Sequence, residues 1–294
     1  AMSRDETLDL KSAVVAYNKS VRSTFDLYIL SMYAFTKICR VATEDEENRK
    51  NKYIPTEADK IFTAKLYENP IIQYLANSKF LSSKADKLHF SNVASADFAK
   101  KVYGDFSKEE AYIEYLAQEI PNDGHKDLLL ELFRFCRKSE YFNDVLESAY
   151  INWIDDKSLV IGTVKKTLKG LPADHNIFED HLPDPEIVDE FGKELLELTC
   201  EEDDELLEYV KPVLENWDHE RLAIIDMILI KMALVEFMNF KTIPVKVTLN
   251  EYVEISKIYS TPKSKEFVNG ILDKLLKKLQ SENKIQKEGR GLVD

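Results

Sequence analysis

The residues best able to do chemistry lie near the C-terminal end. Lys246, Lys257, Lys263 and Lys265, with Lys274, Lys277 and Lys278 behind them, can each neutralise one phosphate of a nucleic acid. Tyr252 and Tyr259 stand among them and offer rings on which unpaired bases can stack. A solvated lysine face with core tyrosines is the competing reading of the same pattern. Upstream, Asp226, Lys231 and Glu236 punctuate a run that is apolar on nearly every side, Leu222 to Phe237. Charges on so apolar a helix must reach a partner surface or form ion pairs inside the bundle, because a buried unpaired charge is costly. They are therefore candidate partner-binding residues, together with Phe267.

Catalytic and metal-binding patterns are missing. His175 and His181 lie in Asp174-His175-Asn176-Ile177-Phe178-Glu179-Asp180-His181, which lacks helical ligand spacing and reads as an exposed acidic loop. No Gly-rich phosphate loop, HExxH or GxSxG occurs. Neither an enzyme nor a cofactor is expected. Cys39, Cys136 and Cys200 are far apart and form no CxxC, which fits a reducing cytoplasm rather than a disulfide framework. The most apolar stretch is interrupted by its three charges, so no membrane span is expected.

The elements that must position these residues are helices. Only 8 Gly and 9 Pro occur in 294 residues, too few for a turn-rich sheet fold, and no run reads as a strand. Val14, Tyr17, Val21, Phe25, Tyr28, Met32, Phe35 and Cys39 follow at spacings of three or four, one stripe of a long first helix. A second helix is expected from Thr56 to Lys79, capped by Thr56 and interrupted at Pro70, and shorter helices to about Lys169. Acidic helices follow over Glu186–Cys200 and Asp203–Leu214. Asp218 is placed to cap the apolar helix, with Trp217 packing on Leu222. Thr248 and Glu251 have the spacing of a capping box, and Thr261-Pro262 that of a helix start. In the last helix Gly270 suggests a close approach by another backbone, and Asn269 a buried hydrogen-bonding position.

The formal charge of −13 argues against indiscriminate coating of nucleic acid, but the charge is uneven. Residues 171–226 hold 19 acidic against 3 basic side chains, whereas residues 241–294 hold 11 basic against 7 acidic. A local polyanion site at the C-terminal end is compatible with the acidic total.

One stretch resembles a known family. Ile243-Pro244-Val245-Lys246-Val247-Thr248-Leu249-Asn250-Glu251, then Glu254-Ile255-Ser256-Lys257, Ser264 and Phe267-Val268-Asn269-Gly270-Ile271-Leu272-Asp273-Lys274 are similar to the NusB transcription antitermination factors, in the longer form found in the Bacteroidetes group. Asp226, Ala233 and Glu236 match in order and spacing. The resemblance implies an all-α helical bundle: a NusB-like core over 201–282, a helical N-terminal extension over 1–200 and a flexible basic tail over 283–294. It implies binding of the boxA element of ribosomal RNA operons, NusE (a ribosomal small-subunit protein) as partner, and assembly of an antitermination complex on RNA polymerase. A helical scaffold that binds NusE or another partner without RNA is the alternative. Two departures stand out. The opening Ser3-Arg4-Asp5-Glu6-Thr7-Leu8-Asp9 does not match the family's arginine-rich first helix, and Pro262-Lys263 replaces an acidic pair near the NusE-facing region.

Overall fold

The computed structural model describes residues 9–118, 122–214 and 223–288. Among them every regular element is helical. The expected Asp218 cap and its Trp217 staple lie outside these residues. The chain divides into two compact units, residues 19–183 and residues 1–18 with 184–294.

The first unit is built on α1 (Leu10–Lys50), whose early turns belong to the other unit. Of the stripe read from the sequence, Phe25, Tyr28, Met32, Phe35 and Cys39 lie in the core, whereas Val14, Tyr17 and Val21 are half-buried. The region expected as one second helix is three: α2 (Glu57–Ile61), α3 (Lys65–Glu68) and α4 (Pro70–Ala76). Thr56 caps α2 in a capping box with Asp59. Asn69 caps α4 through the amides of Ile71 and Ile72, with Pro70 at the first helical position, where its missing N–H costs nothing. Then come α5 (Lys79–Lys87), α6 (Phe90–Val93), α7 (Ala96–Phe106), α8 (Glu110–Ala117), α9 (Asn122–Lys138), α10 (Glu140–Ala149) and α11 (Trp153–Gly170).

The stretch after α11 departs from its reading as an exposed acidic loop. Ile177 and Phe178 turn inward and are buried, and Phe178 stacks on Phe80 at 5.4 Å. Tyr28 ties the same region down, its hydroxyl 2.7 Å from that of Thr167. Burial pushes the Tyr28 phenol well above its ordinary pKa.

In the second unit, residues 186–201 are helical as expected, but Glu186–Lys193 are wound as a π-helix before α12 (Glu194–Glu201). The Tyr17 hydroxyl donates to the Val188 carbonyl at 2.9 Å. A Cβ on Gly192 would stand 2.1 Å from the same hydroxyl, so any larger residue there would displace the Tyr17 ring from its bond to Val188. After α13 (Asp203–Val210) come α14 (Ile224–Asn239), α15 (Val245–Tyr259) and α16 (Ser264–Ser281). Leu195 on α12 shares one core with Leu206, Leu234, Phe237, Val268 and Leu272. That shared core is why the compact division falls at 183/184 and not at residue 200.

Three local readings give way to packing. α15 starts at Val245 with Pro244 in the capping position, so Thr248 lies inside the helix, buried, and caps nothing. α16 starts at Ser264, whose Oγ accepts from the Thr261 amide; Pro262 precedes the helix. Asn269 is exposed rather than buried, and a Cβ on the exposed Gly270 would meet no atom within 4 Å. Among the described residues no backbone needs that glycine. We expect Gly270→Ala to raise stability by about 0.5–1 kcal/mol, the usual helical cost of glycine, in a denaturant titration. A loss of stability would show that the site is crowded.

Asn283, with φ of 54°, closes α16, and the chain beyond it is anchored. Lys287 Nζ donates to the carbonyls of Glu236 at 2.9 Å and Phe240 at 2.7 Å, a second donor at the end of α14 beside the amides of Phe240 and Ile243. The Glu288 amide donates to the Lys241 carbonyl at 2.9 Å. Residues 284–288 therefore act as a clasp on the α14–α15 turn, where the sequence reads as a flexible tail.

Candidate nucleic-acid and partner interface

The candidate residues lie on α14, α15, α16 and the turns between them. α14 is apolar all round because it packs against α12, α13, α15 and α16, and its three charges are buried. Two of them are spent inside the unit. Lys231 Nζ donates to Asp203 Oδ1 at 2.6 Å. Glu236 Oε2 accepts from the Tyr252 hydroxyl at 3.0 Å. Of the two readings open for these charges, bonding within the bundle describes Lys231 and Glu236.

Asp226 differs. It is 4% exposed and sits in the first turn of α14, where the helix dipole favours an anion. Its Oδ2 accepts from Ser264 Oγ at 2.7 Å, and Ser264 in turn lies within hydrogen-bond distance of Ser260 and Thr261 hydroxyls. Its Oδ1 is buried and has no hydrogen-bond partner among the described residues. Leaving a carboxylate oxygen unpaired in a desolvated site costs free energy, so this atom is an acceptor waiting for a donor. The hydroxyls of Ser260, Thr261 and Ser264 were not among the sequence candidates. Their signal was the small polar run before α16, which reads equally well as a simple helix start.

The tyrosines separate. Tyr252 is 3% exposed, with its hydroxyl on Glu236, so the expectation that its ring stacks on bases fails. Burial and the neighbouring Glu236 carboxylate hold its phenol far above the ordinary range. Tyr259, the last residue of α15, is 42% exposed and keeps an accessible ring. Phe267 is half-buried against the core.

Lys246, Lys263 and Lys265 are exposed, and Lys257 is exposed while bonded to Glu254. Behind them Lys277 bonds Asp273 at 2.7 Å and Lys278 lies over the Tyr209 ring. The arrangement thus combines exposed surface cations with one partly exposed aromatic ring. That is suited to phosphate contacts and one stacking contact. Among the described residues no group of three or more His, Cys, Asp or Glu is placed to hold a metal ion, and no helix is long and apolar enough to cross a membrane.

Comparison with known proteins adds a family. A protein named transcription antitermination protein NusB from Salinibacter ruber is 39% identical over 104 residues, 35% of this chain and 65% of that protein. The protein of the same name from Chloroherpeton thalassium is 48% identical over 80 residues, 27% of this chain and 38% of the relative. That from Pseudothermotoga lettingae is 42% identical over 77 residues, covering 26% and 55%. The chain thus spans less than two thirds of the length of each. No solved structure matches it. The NusB family model matches residues 163–277, from the second half of α11 through most of α16. Residues 163–277 are thus similar to the NusB family, and every regular element described in that stretch is helical.

Proposed function

We propose that the chain is a non-catalytic transcription antitermination factor that binds boxA-type RNA of ribosomal RNA operons together with NusE and helps assemble an antitermination complex on RNA polymerase. The observation that carries the proposal is the family match over 163–277, which includes every candidate residue on α14 and α15 and all of those on α16 except Lys278. The exposed Lys246, Lys257, Lys263 and Lys265 support RNA binding by charge, and Tyr259 supports it by stacking. The unpaired Oδ1 of Asp226, with the half-buried Phe267 on the neighbouring α16, supports a protein contact. NusE is the partner assigned to that contact.

The test is a titration of boxA-type RNA with and without NusE over a range of salt. We expect binding that tightens on addition of NusE and weakens steeply with salt. Absence of RNA binding in both conditions overturns the proposal. Recovery of NusE in a pull-down without RNA would replace it with the scaffold reading, which the unpaired Asp226 oxygen also favours.

A further inference from the structure

A second cationic surface lies on α11, within the 19–183 unit. Val160, Val164, Thr167 and Leu168 form the buried face of that helix. On the opposite side Gly162, Lys165, Lys166 and Lys169 are exposed within one arc of about 100°, by the helical rotation per residue. Elsewhere in the unit lysines are commonly paired: Lys52 with Asp59 at 2.7 Å, Lys100 with Glu44 at 2.8 Å and Lys101 with Asp105 at 2.8 Å. Among the described residues the side chains of Lys165, Lys166 and Lys169 make no ion pair and no hydrogen bond. The carboxylate whose field meets that of Lys166 is Asp180, and it is engaged by His175 at 2.9 Å.

Gly162 supplies an independent observation. Glycine is the least favourable residue after proline inside a helix. Yet a Cβ at 162 would meet no atom within 4 Å, so nothing among the described residues requires the glycine. It leaves a bare strip of helix backbone flanked by three unpaired cations. A chain of phosphates and sugars can lie close against such a strip, and a side chain there would hold it off.

We propose that Lys165, Lys166 and Lys169, arranged around the Gly162 gap, form a further phosphate-binding surface for single-stranded RNA flanking the boxA-type element. The inference rests on the RNA-binding reading above and extends it to the other unit. The surface carries no base-reading groups, so it contributes affinity and salt dependence rather than sequence preference.

The experiment uses the full chain, as wild type and as Lys165→Gln/Lys166→Gln/Lys169→Gln, with two RNAs: the boxA-type element alone and the element with single-stranded flanks. The flanked RNA is expected to bind the triple variant about tenfold more weakly or worse, with the slope of log K against log salt flatter by about 2. The short RNA is expected to bind both proteins alike. Gly162→Leu is expected to melt no lower than wild type while weakening the flanked RNA several-fold. Equal affinity and slope for wild type and triple variant on the flanked RNA overturn the inference, and leave the lysines as a complement to the C-terminal dipole of α11. Failure of the wild type to bind either RNA overturns the RNA-binding reading itself, and this inference with it.

Discussion

Phe178→Ala lowers the stability of the 19–183 unit by about 3–5 kcal/mol, whereas His175→Ala, three residues earlier, leaves it nearly unchanged. The contrast follows from where the two side chains go. Phe178 is completely buried, stacked on Phe80 and tilted against Tyr28 at 6.0 Å, so its removal leaves a cavity between a loop and two helices. Those neighbours cannot close it cheaply: the Tyr28 hydroxyl is fixed on Thr167, and Phe25 packs edge-on against Phe80. His175 is exposed, and its ion pair with Asp180 is solvated on both sides. Trp153 is buried in the same unit and serves as the reporter in a Trp217→Phe background, in a denaturant titration. Near-equal effects of the two alanines would mean that the loop is held by its polar residues and not by its aromatic anchor.

That loop marks the boundary of what the sequence discloses. The α1 stripe was legible because a spacing of three and four is a local property of an amphipathic helix, and Phe25, Tyr28, Met32 and Phe35 are buried as it requires. The capping role of Thr56 was legible for the same reason. The loop carrying Phe178 has no period, and its acids and histidines mask two buried apolar residues. The π-helix at Glu186–Lys193 accepts a hydrogen bond from Tyr17, remote in sequence, and no local pattern announces it. Thr248 and Glu251 have a real capping-box spacing, but Pro244 starts the helix one turn earlier and the motif has no end to cap. Tyr252 and Tyr259 are seven residues apart and share one helix stripe, so sequence alone cannot separate them. Burial in mid-helix claims Tyr252, while Tyr259 stands at the helix end. Among the three α14 charges, spacing placed each on a different side, but only the packed structure distinguishes Asp226, with one oxygen unpaired, from Lys231 and Glu236, whose charges are answered.

Asp226→Ala separates partner binding from stability. On the proposed reading, NusE binding uncovers Oδ1, which is buried in the free chain, and supplies its donor; a hydrogen bond to a charged group is worth about 1.5–3 kcal/mol. The alanine variant should therefore bind NusE roughly 10- to 100-fold more weakly, measured by isothermal titration. Its own stability should change by no more than about 1 kcal/mol, since two terms oppose each other. The variant loses the carboxylate from the first turn of α14, worth about 0.3–1 kcal/mol, and the acceptor for Ser264. It also relieves the burial of a half-satisfied carboxylate, and Ser264 Oγ can turn to the hydroxyls of Ser260 or Thr261, at 2.9 and 2.8 Å. Asp226→Asn tests the same oxygen more finely, because it keeps the shape and one acceptor but removes the charge, and should fall between wild type and alanine. A purely structural aspartate would behave in the opposite way. Stability would then drop sharply, and NusE affinity would decline only in proportion to the fraction unfolded. That result would remove Asp226 from the interface and leave Phe267 and the surface lysines as the partner-facing candidates.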